Sequence, residues 1–416
     1  MSRRVAGGSH DGDLRGSWLV GWTGVALVLS AWLVTRAVLL AQTFGGDIPT
    51  DISAYARWAE GLTVGEGPAI DTAYVYPPGA LVIFAFVDAA NTGSYYRLFT
   101  LVAAAADLAI LTLLWRQVRL GSLRQLAAPW AWVVMGFAAG PLIYQRYDIF
   151  SALLGVLALV AISRPVQAGI WSALGLLVKL WPEIALLGLS RRNLWKGLVV
   201  NAIVVAVGWI VLQIVWGDSL GFVSNVMNKG LSVEAVAAYP FLVARSLGTT
   251  HGVTGQFGSW EVIGPGVAFA ATATTVVGVL LLLGLFVLRV AGRLERVVPG
   301  DVVLLGVLIF VASHKINSLQ YGVWIAAMTA VALTFPGSRA LGPAVILTLM
   351  LLVADQVIWD NFVPFISGNP LMIGYQGLRL ALLLAALAWI ALAVMNQARG
   401  RQRELSPRVA LLAAAS

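Results

Sequence analysis

Titratable side chains interrupt this apolar chain in a few short segments, and those segments carry its candidate chemistry. They are the stretch with Asp47 and Asp51, and residues 145–148, 179–183, 314–317 and 355–360. A positioned carboxylate can take a proton from a hydroxyl, and fixed cations can stabilise a negatively charged leaving group. The residue types therefore predict general-base chemistry beside an anionic ligand.

Residues 42–96 form the acidic part of the chain. They include six acids and one base, Arg57, whereas bases outnumber acids in the rest of the sequence. Asp51 is our first candidate for the general base, and Asp47 is the alternative. Asp51 could instead be the N-cap of a helix that runs to Ala59, because Asp caps helices well.

Two aromatic residues follow Asp51 at helical spacing. Tyr55 and Trp58 are at i+4 and i+7 from it, and so share its face of a helix. They fit an aromatic belt at the membrane–water interface, and they equally fit a wall on which a sugar ring stacks.

Two further motifs carry a structural interpretation beside the functional one. Arg146 and Asp148 could pair with each other at a helix end. Lys179 interrupts an apolar stretch, where an unpaired ammonium would be costly, and Glu183 at i+4 is an available partner. The functional interpretation of Lys179 is a contact with a phosphate.

Four more charged or titratable residues interrupt apolar runs. His314 and Lys315 form either an ordinary interfacial loop or, with Lys179, a phosphate site. Arg36 is either a functional intramembrane charge or a side chain that reaches out to the interface. Asp107, in the middle of a run, is expected to hydrogen-bond a neighbouring helix.

The elements that must position these residues are membrane helices. The chain has 416 residues, of which 59% are hydrophobic and 11% charged, and its mean hydropathy is +0.86. Repeated apolar runs of about 18 to 24 residues predict an all-α, polytopic membrane protein rather than a β-barrel. The absence of cysteine excludes disulfides and iron–sulfur clusters, and three histidines make a His-rich zinc site improbable. The basic residues flank helices, as the positive-inside rule expects, so the net charge of +8 does not indicate a nucleic-acid partner.

The basic residues also orient the predicted spans. We expect about 12 of them, both termini in the cytoplasm, and every unusual polar motif on the outer side. The predicted parts are a disordered N-terminus at 1–17, a transmembrane domain at 18–396 and a basic tail at 397–416. Within the domain lie a catalytic outer loop at 42–96, a re-entrant or juxtamembrane helix at 78–90, a pair of short spans at 166–178 and 180–190, and a second outer loop at 217–261.

An outer cavity with a carboxylate and several cations fits glycosyl transfer from a lipid-linked donor. The leaving phosphate gains charge in the transition state, and cations in a water-poor site would stabilise it. No phosphate-binding glycine loop is present for a nucleotide. Two alternatives are a transporter or flippase of a lipid-linked sugar, and a polysaccharide polymerase or ligase with a lipid-diphosphate donor. Transporters often show repeats and midplane charges, neither of which is evident.

Several motifs, taken in order, resemble those of one enzyme family. Asp51 with Tyr55, followed by the YPP of residues 76–78, resembles the GT-C membrane glycosyltransferases. RYDIFSALL (146–154), KLWPEIALL (179–187) and HKINSLQYGVW (314–324) look like glycosyltransferase family 87, to which actinobacterial α-mannosyltransferases of phosphatidylinositol mannosides and lipoglycans belong.

That resemblance implies a GT-C fold in the cytoplasmic membrane and a metal-independent, inverting transfer of mannose on the extracytoplasmic side. It implies a polyprenol-phosphate-mannose donor, a lipid-anchored glycan acceptor, contact with membrane lipid and no cofactor. Asp51 matches the family's catalytic aspartate, although its spacing of four from Asp47 departs from the usual pairs and leaves the choice of base open. The expected substrate-binding residues are Asp47, Tyr55, Trp58, Tyr76, Arg146, Asp148, Lys179, His314, Lys315 and Gln320.

Overall fold

Helices make up most of the structure, a computed structural model that describes residues 11–47, 49–63, 71, 74–91, 93–118, 126–217, 220–256 and 258–413. The α-helices are α1 Asp11–Gly45, α2 Thr50–Thr63, α3 Gly79–Ala89, α4 Tyr95–Gln117, α5 Ala127–Ala138, α6 Leu142–Gln145, α7 Asp148–Val160, α8 Pro165–Val178, α9 Arg191–Trp216, α10 Gly221–Asn228, α11 Tyr239–Ser246, α12 Val267–Val290, α13 Pro299–Ser313, α14 Gly322–Ala332, α15 Leu341–Leu352, α16 Phe362–Ile366 and α17 Pro370–Ala413. Short 3-10 helices cover Trp181–Gly188, Val236–Ala238 and Leu319–Tyr321, and a π-helix covers Val353–Trp359.

Six of these helical stretches are long and apolar enough to cross a membrane. They are Thr23–Gly45, Tyr95–Gln117, Arg191–Trp216, Val267–Val290, Leu341–Trp359 and Pro370–Gly400. A span needs about 20 apolar residues to cross the hydrocarbon layer. The prediction of an all-α, multi-pass membrane protein is confirmed.

The remaining apolar helices are short. They cover Gly79–Ala89, Ala127–Ala138, Asp148–Val160, Pro165–Val178, Pro299–Ser313 and Leu319–Ala332. The segment predicted as a span at 180–190 is instead the eight-residue 3-10 helix Trp181–Gly188. At about 2 Å per residue such a helix is too short to cross alone, and Pro182, which lacks an N–H donor, lies in its first turn. The re-entrant position of α3 stays a prediction.

The described residues near both ends of the chain are helical. Helix α1 begins at Asp11, so residues 11–17, predicted to be disordered, are helical. Helix α17 likewise continues through the predicted tail to Ala413.

Helix α14 lies at the centre of the bundle. Every residue from Gly322 to Ala332 is buried, because the sequence GVWIAAMTAVA has no polar face to turn toward water. It packs against α5, α7 and α13. Since Leu319–Tyr321 leads directly into α14, the segment that begins at His314 is held against the most buried part of the molecule.

A buried ion pair joins α1, α4 and α5. Arg36 Nε donates to Asp107 Oδ2 at 2.9 Å, and its Nη1 donates to the Val133 carbonyl at 2.8 Å. Trp132 Nε1 and the Tyr144 hydroxyl also donate to Asp107, at 2.7 and 2.6 Å. Arg36 therefore neither reaches the interface nor serves the site described below, and Asp107 is the helix-to-helix hydrogen-bond partner that the sequence predicted.

The second long loop contains a small antiparallel sheet. Its strands are β1 Leu231–Ser232, β2 Gly252–Gln256 and β3 Ser259–Ile263, in the spatial order β1–β3–β2. β1 pairs Ser232 with Glu261, and the hairpin pairs Gly255 with Trp260. The predicted outer loop at 217–261 is thus a folded unit with strands and with helices α10 and α11.

The long helices α9 and α12 place the loops between them at one end of the molecule. Residues 217–266 connect the end of α9 to the start of α12. At the opposite end, the Arg191 backbone N–H donates to Glu295 at 2.6 Å. The second loop and the Arg191 turn therefore lie on opposite sides of these two spans.

Candidate active site

A cavity of about 370 Å³ lies where the second loop meets the helix ends. Its walls come from segments that are far apart in sequence. Among its lining residues are Asp51, Tyr76, Pro77, Arg146, Lys179, Phe222, Lys229, Glu234, Trp260, Phe310, His314, Gln320, Tyr321, Trp324, Trp359 and Phe362. Six of the sequence-predicted residues therefore share one cavity, namely Asp51, Tyr76, Arg146, Lys179, His314 and Gln320.

Three of these residues lie at breaks between helices. Arg146, Lys179 and His314 each have extended backbone angles and immediately follow α6, α8 and α13. An extended residue turns its side chain out of the helical array, while the helices on both sides hold it in place. This local geometry directs three basic or titratable side chains into the cavity from a rigid frame.

Asp51 and Arg146 form an ion pair. The Arg146 side chain is almost fully buried, whereas 28% of the Asp51 side chain is exposed. The Arg146 guanidinium also lies 5.4 Å from the centre of the Trp359 ring, a cation–π distance. The predicted alternative, a pair between Arg146 and Asp148, does not form, and the arginine instead orients the carboxylate that faces the cavity.

Asp148 is the partner of Lys179. The Lys179 Nζ donates to Asp148 Oδ1 at 2.7 Å, and Asp148 is completely buried. Asp148 was expected to bind substrate, but it lies behind the lysine and does not line the cavity. The partner suggested by spacing, Glu183, accepts hydrogen bonds from Ser172 and Asn201 instead.

Aromatic rings surround the Lys179 ammonium. Its Nζ lies 4.5 Å from the Tyr147 ring centre and 4.6 Å from that of Trp324, with Tyr321 at 5.3 Å and Tyr76 at 5.9 Å. Ring faces attract cations, so these contacts hold the charge in place together with Asp148. The side chain keeps 12% exposure, which leaves the ammonium accessible from the cavity.

His314 is a neutral residue in this environment. Burial lowers its pKa to about 4, and the charges of Lys315, Lys179 and Lys229 act in the same direction. Its Nδ1 lies 2.6 Å from the carbonyl oxygen of Ile316, and the ring stacks on Phe310 with centres 4.9 Å apart. The single N–H of the neutral ring is therefore held by Ile316, so at neutral pH His314 presents Nε2 as a hydrogen-bond acceptor and does not add a positive charge.

Lys315 points away from the cavity. Its Nζ donates to the backbone carbonyls of Lys229 at 2.5 Å and Met227 at 3.3 Å. Cations commonly bind the free carbonyls at the end of a helix, here α10. Lys315 was expected to bind substrate, but it does not line the cavity and fixes the loop that carries Lys229.

The other three expected residues also lie outside the cavity lining. Tyr55 and Trp58 are buried in an aromatic cluster with Phe84, where the rings of Tyr55 and Phe84 stack at 4.3 Å. Trp58 Nε1 donates to Asp71 at 2.9 Å. The two residues support the wall from behind, because their helix face packs inward on α3. Asp47 is exposed in the loop after α1.

The second loop supplies lining residues that the sequence did not single out. Burial lowers the pKa of Lys229 to about 8, although Glu261, Glu234 and Asp51 act in the opposite direction. Burial raises the pKa of Glu234. Glu234 interrupts the apolar stretch LSVEAVA as Lys179 interrupts its own run, and the same signal could have identified it. Trp260 belongs to a loop whose fold the sequence did not predict.

The cations dominate the charge of the cavity. Arg146, Lys179 and Lys229 face it together with two carboxylates, Asp51 and Glu234. No group of three His, Asp or Glu side chains in the described part of the chain is placed to hold a metal ion. The arrangement can hold an anionic group and, at Asp51, accept a proton from a hydroxyl.

Comparison with protein-family models gives a match over the middle of the chain. The model of the family described as "Glycosyltransferase family 87" matches residues 74–314, more than half of the chain. The matched range includes Arg146, Lys179, Lys229, Glu234 and His314, and it begins after Asp51. No curated protein and no solved structure is significantly similar to the chain.

Proposed function

Because the chain belongs to glycosyltransferase family 87 and is a membrane glycosyltransferase, we propose that it moves mannose from a polyprenol-phosphate donor to a lipid-anchored glycan acceptor. The reaction takes place on the outer face of the cytoplasmic membrane, with Asp51 as general base. One observation carries the proposal: a partly exposed carboxylate, Asp51, shares a cavity with buried cations.

The chemistry is a direct displacement at the anomeric carbon of the donor sugar. The acceptor hydroxyl oxygen forms the new bond to this carbon, and Asp51 takes the hydroxyl proton. The bond from the carbon to the phosphate oxygen breaks, and its electron pair leaves with the polyprenyl phosphate. One carboxylate is sufficient for such an inverting step.

The cations stabilise the leaving group. Lys179 and Lys229 lie in the same cavity as Asp51, and the charge on the phosphate grows as the bond breaks. Contacts that strengthen in this way lower the barrier rather than only improving binding. His314, which is neutral, can accept a hydrogen bond at Nε2 from a sugar hydroxyl, and Arg146 keeps the Asp51 carboxylate in position.

The alternatives differ in what the lipid-linked sugar becomes. A transporter or flippase would move it unchanged, whereas family membership supports transfer to an acceptor. A polymerase or ligase would perform transfer but would take a lipid-diphosphate donor. The second phosphate of that donor adds negative charge. The identity of the donor that gives product therefore distinguishes a polymerase or ligase from the proposed enzyme.

The test uses purified full-length protein in liposomes with radiolabelled donors. Polyprenol-phosphate-mannose, the matching glucose donor and a polyprenol-diphosphate sugar are each supplied with lipid-anchored mannosides. We expect labelled glycolipid from the first donor and inversion at its anomeric carbon. Product from the diphosphate donor alone, or movement of unchanged donor across the bilayer without product, would contradict the proposal.

A further inference from the structure

Two residues of the second loop, Glu234 and Trp260, have no part in the transfer step described above. Both line the cavity. Trp260 keeps 41% of its surface exposed, whereas Glu234 is 9% exposed. An exposed indole therefore lies at the rim of the cavity and a buried carboxylate lies in its wall.

The indole of Trp260 has one supported side and one open side. Trp260 pairs across the hairpin with Gly255. A Cβ at Gly255 would lie 3.7 Å from the ring, a van der Waals distance, so the ring lies over this glycine. The open side presents a flat apolar surface of the kind that packs against the C–H face of a sugar ring.

Backbone contacts fix Glu234 relative to Trp260. The Val233 N–H donates to the Trp260 carbonyl at 3.0 Å. The Glu234 carbonyl accepts from Gln376 at 3.0 Å and from Arg379 at 3.1 Å, both on α17. These contacts within the protein organise the pair, which reduces the entropy that binding would cost.

The Glu234 carboxylate is suited to hydroxyl recognition. The Ser232 hydroxyl donates to its Oε2, and its Oε1 can accept further hydrogen bonds. Since the inverting step needs one base, a second carboxylate in the same cavity is available for binding. A carboxylate next to a flat apolar surface matches a pyranose ring, which carries hydroxyls at its edge and C–H groups on its face.

We propose that Glu234 and Trp260 form a subsite for a pyranose ring of the acceptor glycan. The inference rests on the proposed function, because it assigns the subsite to the acceptor of that reaction. The position of Trp260 at the exposed rim supports the acceptor rather than the donor. The non-reacting sugars of a glycan extend from the reacting hydroxyl toward water, whereas the donor phosphate needs the buried cations.

The test measures sugar binding without any donor. Methyl glycosides of mannose, glucose and galactose, and methyl di- and trimannosides, are titrated onto purified protein and followed by saturation-transfer NMR. We expect Glu234→Gln to raise the dissociation constant of the best ligand by about 10- to 100-fold, the range for hydrogen bonds to charged groups. Trp260→Ala should raise it by about 2- to 10-fold, the range for an aromatic contact. Trp260→Phe should recover part of the loss.

Matched controls remove the same chemical groups elsewhere. Glu261→Gln changes a buried carboxylate of the same sheet that does not line the cavity, and Trp195→Ala removes an exposed indole from α9. Both should bind glycosides as the wild type does. Size-exclusion elution and thermal melting check folding, and Glu234→Gln and Trp260→Phe carry the test if Trp260→Ala does not fold.

Several outcomes would overturn the subsite. These are wild-type binding by both Glu234→Gln and Trp260→Ala, no glycoside binding by the wild type, or an equal loss in the controls. A Glu234→Gln variant with normal glycoside binding but no turnover would make Glu234 the base instead. Because binding is measured without donor, the subsite and the proposed transfer can fail independently.

Discussion

At the residue scale, the cavity contains three cations that differ in how firmly their charge is held. Arg146 is paired with Asp51 and Lys179 with Asp148. Lys229 has a pKa of about 8 because burial disfavours its charged form. Lys229 therefore loses its charge at a pH just above neutral, whereas the Arg146 guanidinium stays charged over the whole physiological pH range.

The charge of Lys229 predicts the alkaline limb of the pH profile. We expect kcat/KM for the donor to be constant around pH 7 and to fall through about pH 8 as the ammonium loses its proton. Lys229→Arg should remove this limb, and Lys196→Arg, at an exposed position on α9, should leave it in place. A limb that persists unchanged in Lys229→Arg would assign it to another group.

The Lys179–Asp148 pair predicts an asymmetric double-mutant cycle. Lys179→Met leaves Asp148 fully buried without its lysine, at a cost of about 3–5 kcal/mol. Asp148→Asn should destabilise the protein less, because the Lys179 ammonium stays partly exposed to the cavity and keeps its contacts with the aromatic rings. The double variant should be more stable than Lys179→Met alone. Thermal melting in detergent measures this, and purely additive losses would contradict the coupling.

At the element scale, the site is built at helix breaks. The sequence predicted the breaks well, because a charged residue or a proline interrupts each apolar run. It could not predict the pairs, since they join residues far apart in the chain. Spacing suggested Arg146 with Asp148 and Lys179 with Glu183, whereas packing of α7 against α8 brings Asp148 to Lys179.

The contact between α3 and α8 gives an element-scale prediction. A Cβ on Gly79, just after the YPP turn, would lie 2.5 Å from the Leu177 carbonyl oxygen. Because backbone cannot move aside as a side chain can, Gly79→Ala should push α3 from the end of α8 that carries Lys179. We expect a lower melting temperature and lower turnover.

The control for this prediction is a glycine with open space around it. An added Cβ on Gly93 meets no atom of the described chain within 4 Å, so Gly93→Ala should behave as the wild type. Equal behaviour of the two alanine variants in melting and turnover assays would show that the close α3–α8 contact does not position the site.

At the scale of the whole molecule, composition and hydropathy were sufficient to predict the all-α membrane fold. They could not predict the folded second loop, because β1 has two residues and its register depends on contacts with β3. The lining residues Lys229 and Trp260 were missed for that reason, whereas the interrupted apolar stretch around Glu234 could have identified that residue. The prediction that α3 is re-entrant rested on the positions of Arg116, Arg119 and Arg124. Of these, Arg119 and Arg124 lie outside the described residues.

The side of the membrane on which the cavity opens is also a whole-molecule prediction. The chain contains no cysteine, so single cysteines can be introduced at exposed positions on both sides. Thr250 lies in the second loop, and Arg293 lies near the opposite turn that contains Glu295. In intact cells, an impermeant thiol reagent should label Thr250→Cys but not Arg293→Cys. It should label Arg293→Cys only after the cells are permeabilised. The reverse pattern would place the cavity in the cytoplasm.

The most direct test of the account compares sugar transfer by Asp51→Asn and Asp47→Asn. The asparagine at 51 keeps the size of the side chain and an oxygen that Arg146 can bind, but it loses the ability to take a proton. We predict that Asp51→Asn lowers kcat by about 10²- to 10⁴-fold with little change in donor KM. Asp47→Asn, at an exposed position outside the cavity lining, should transfer at the wild-type rate. Near-normal turnover by a folded Asp51→Asn variant, or the loss of turnover in Asp47→Asn instead, would contradict the assignment of the base.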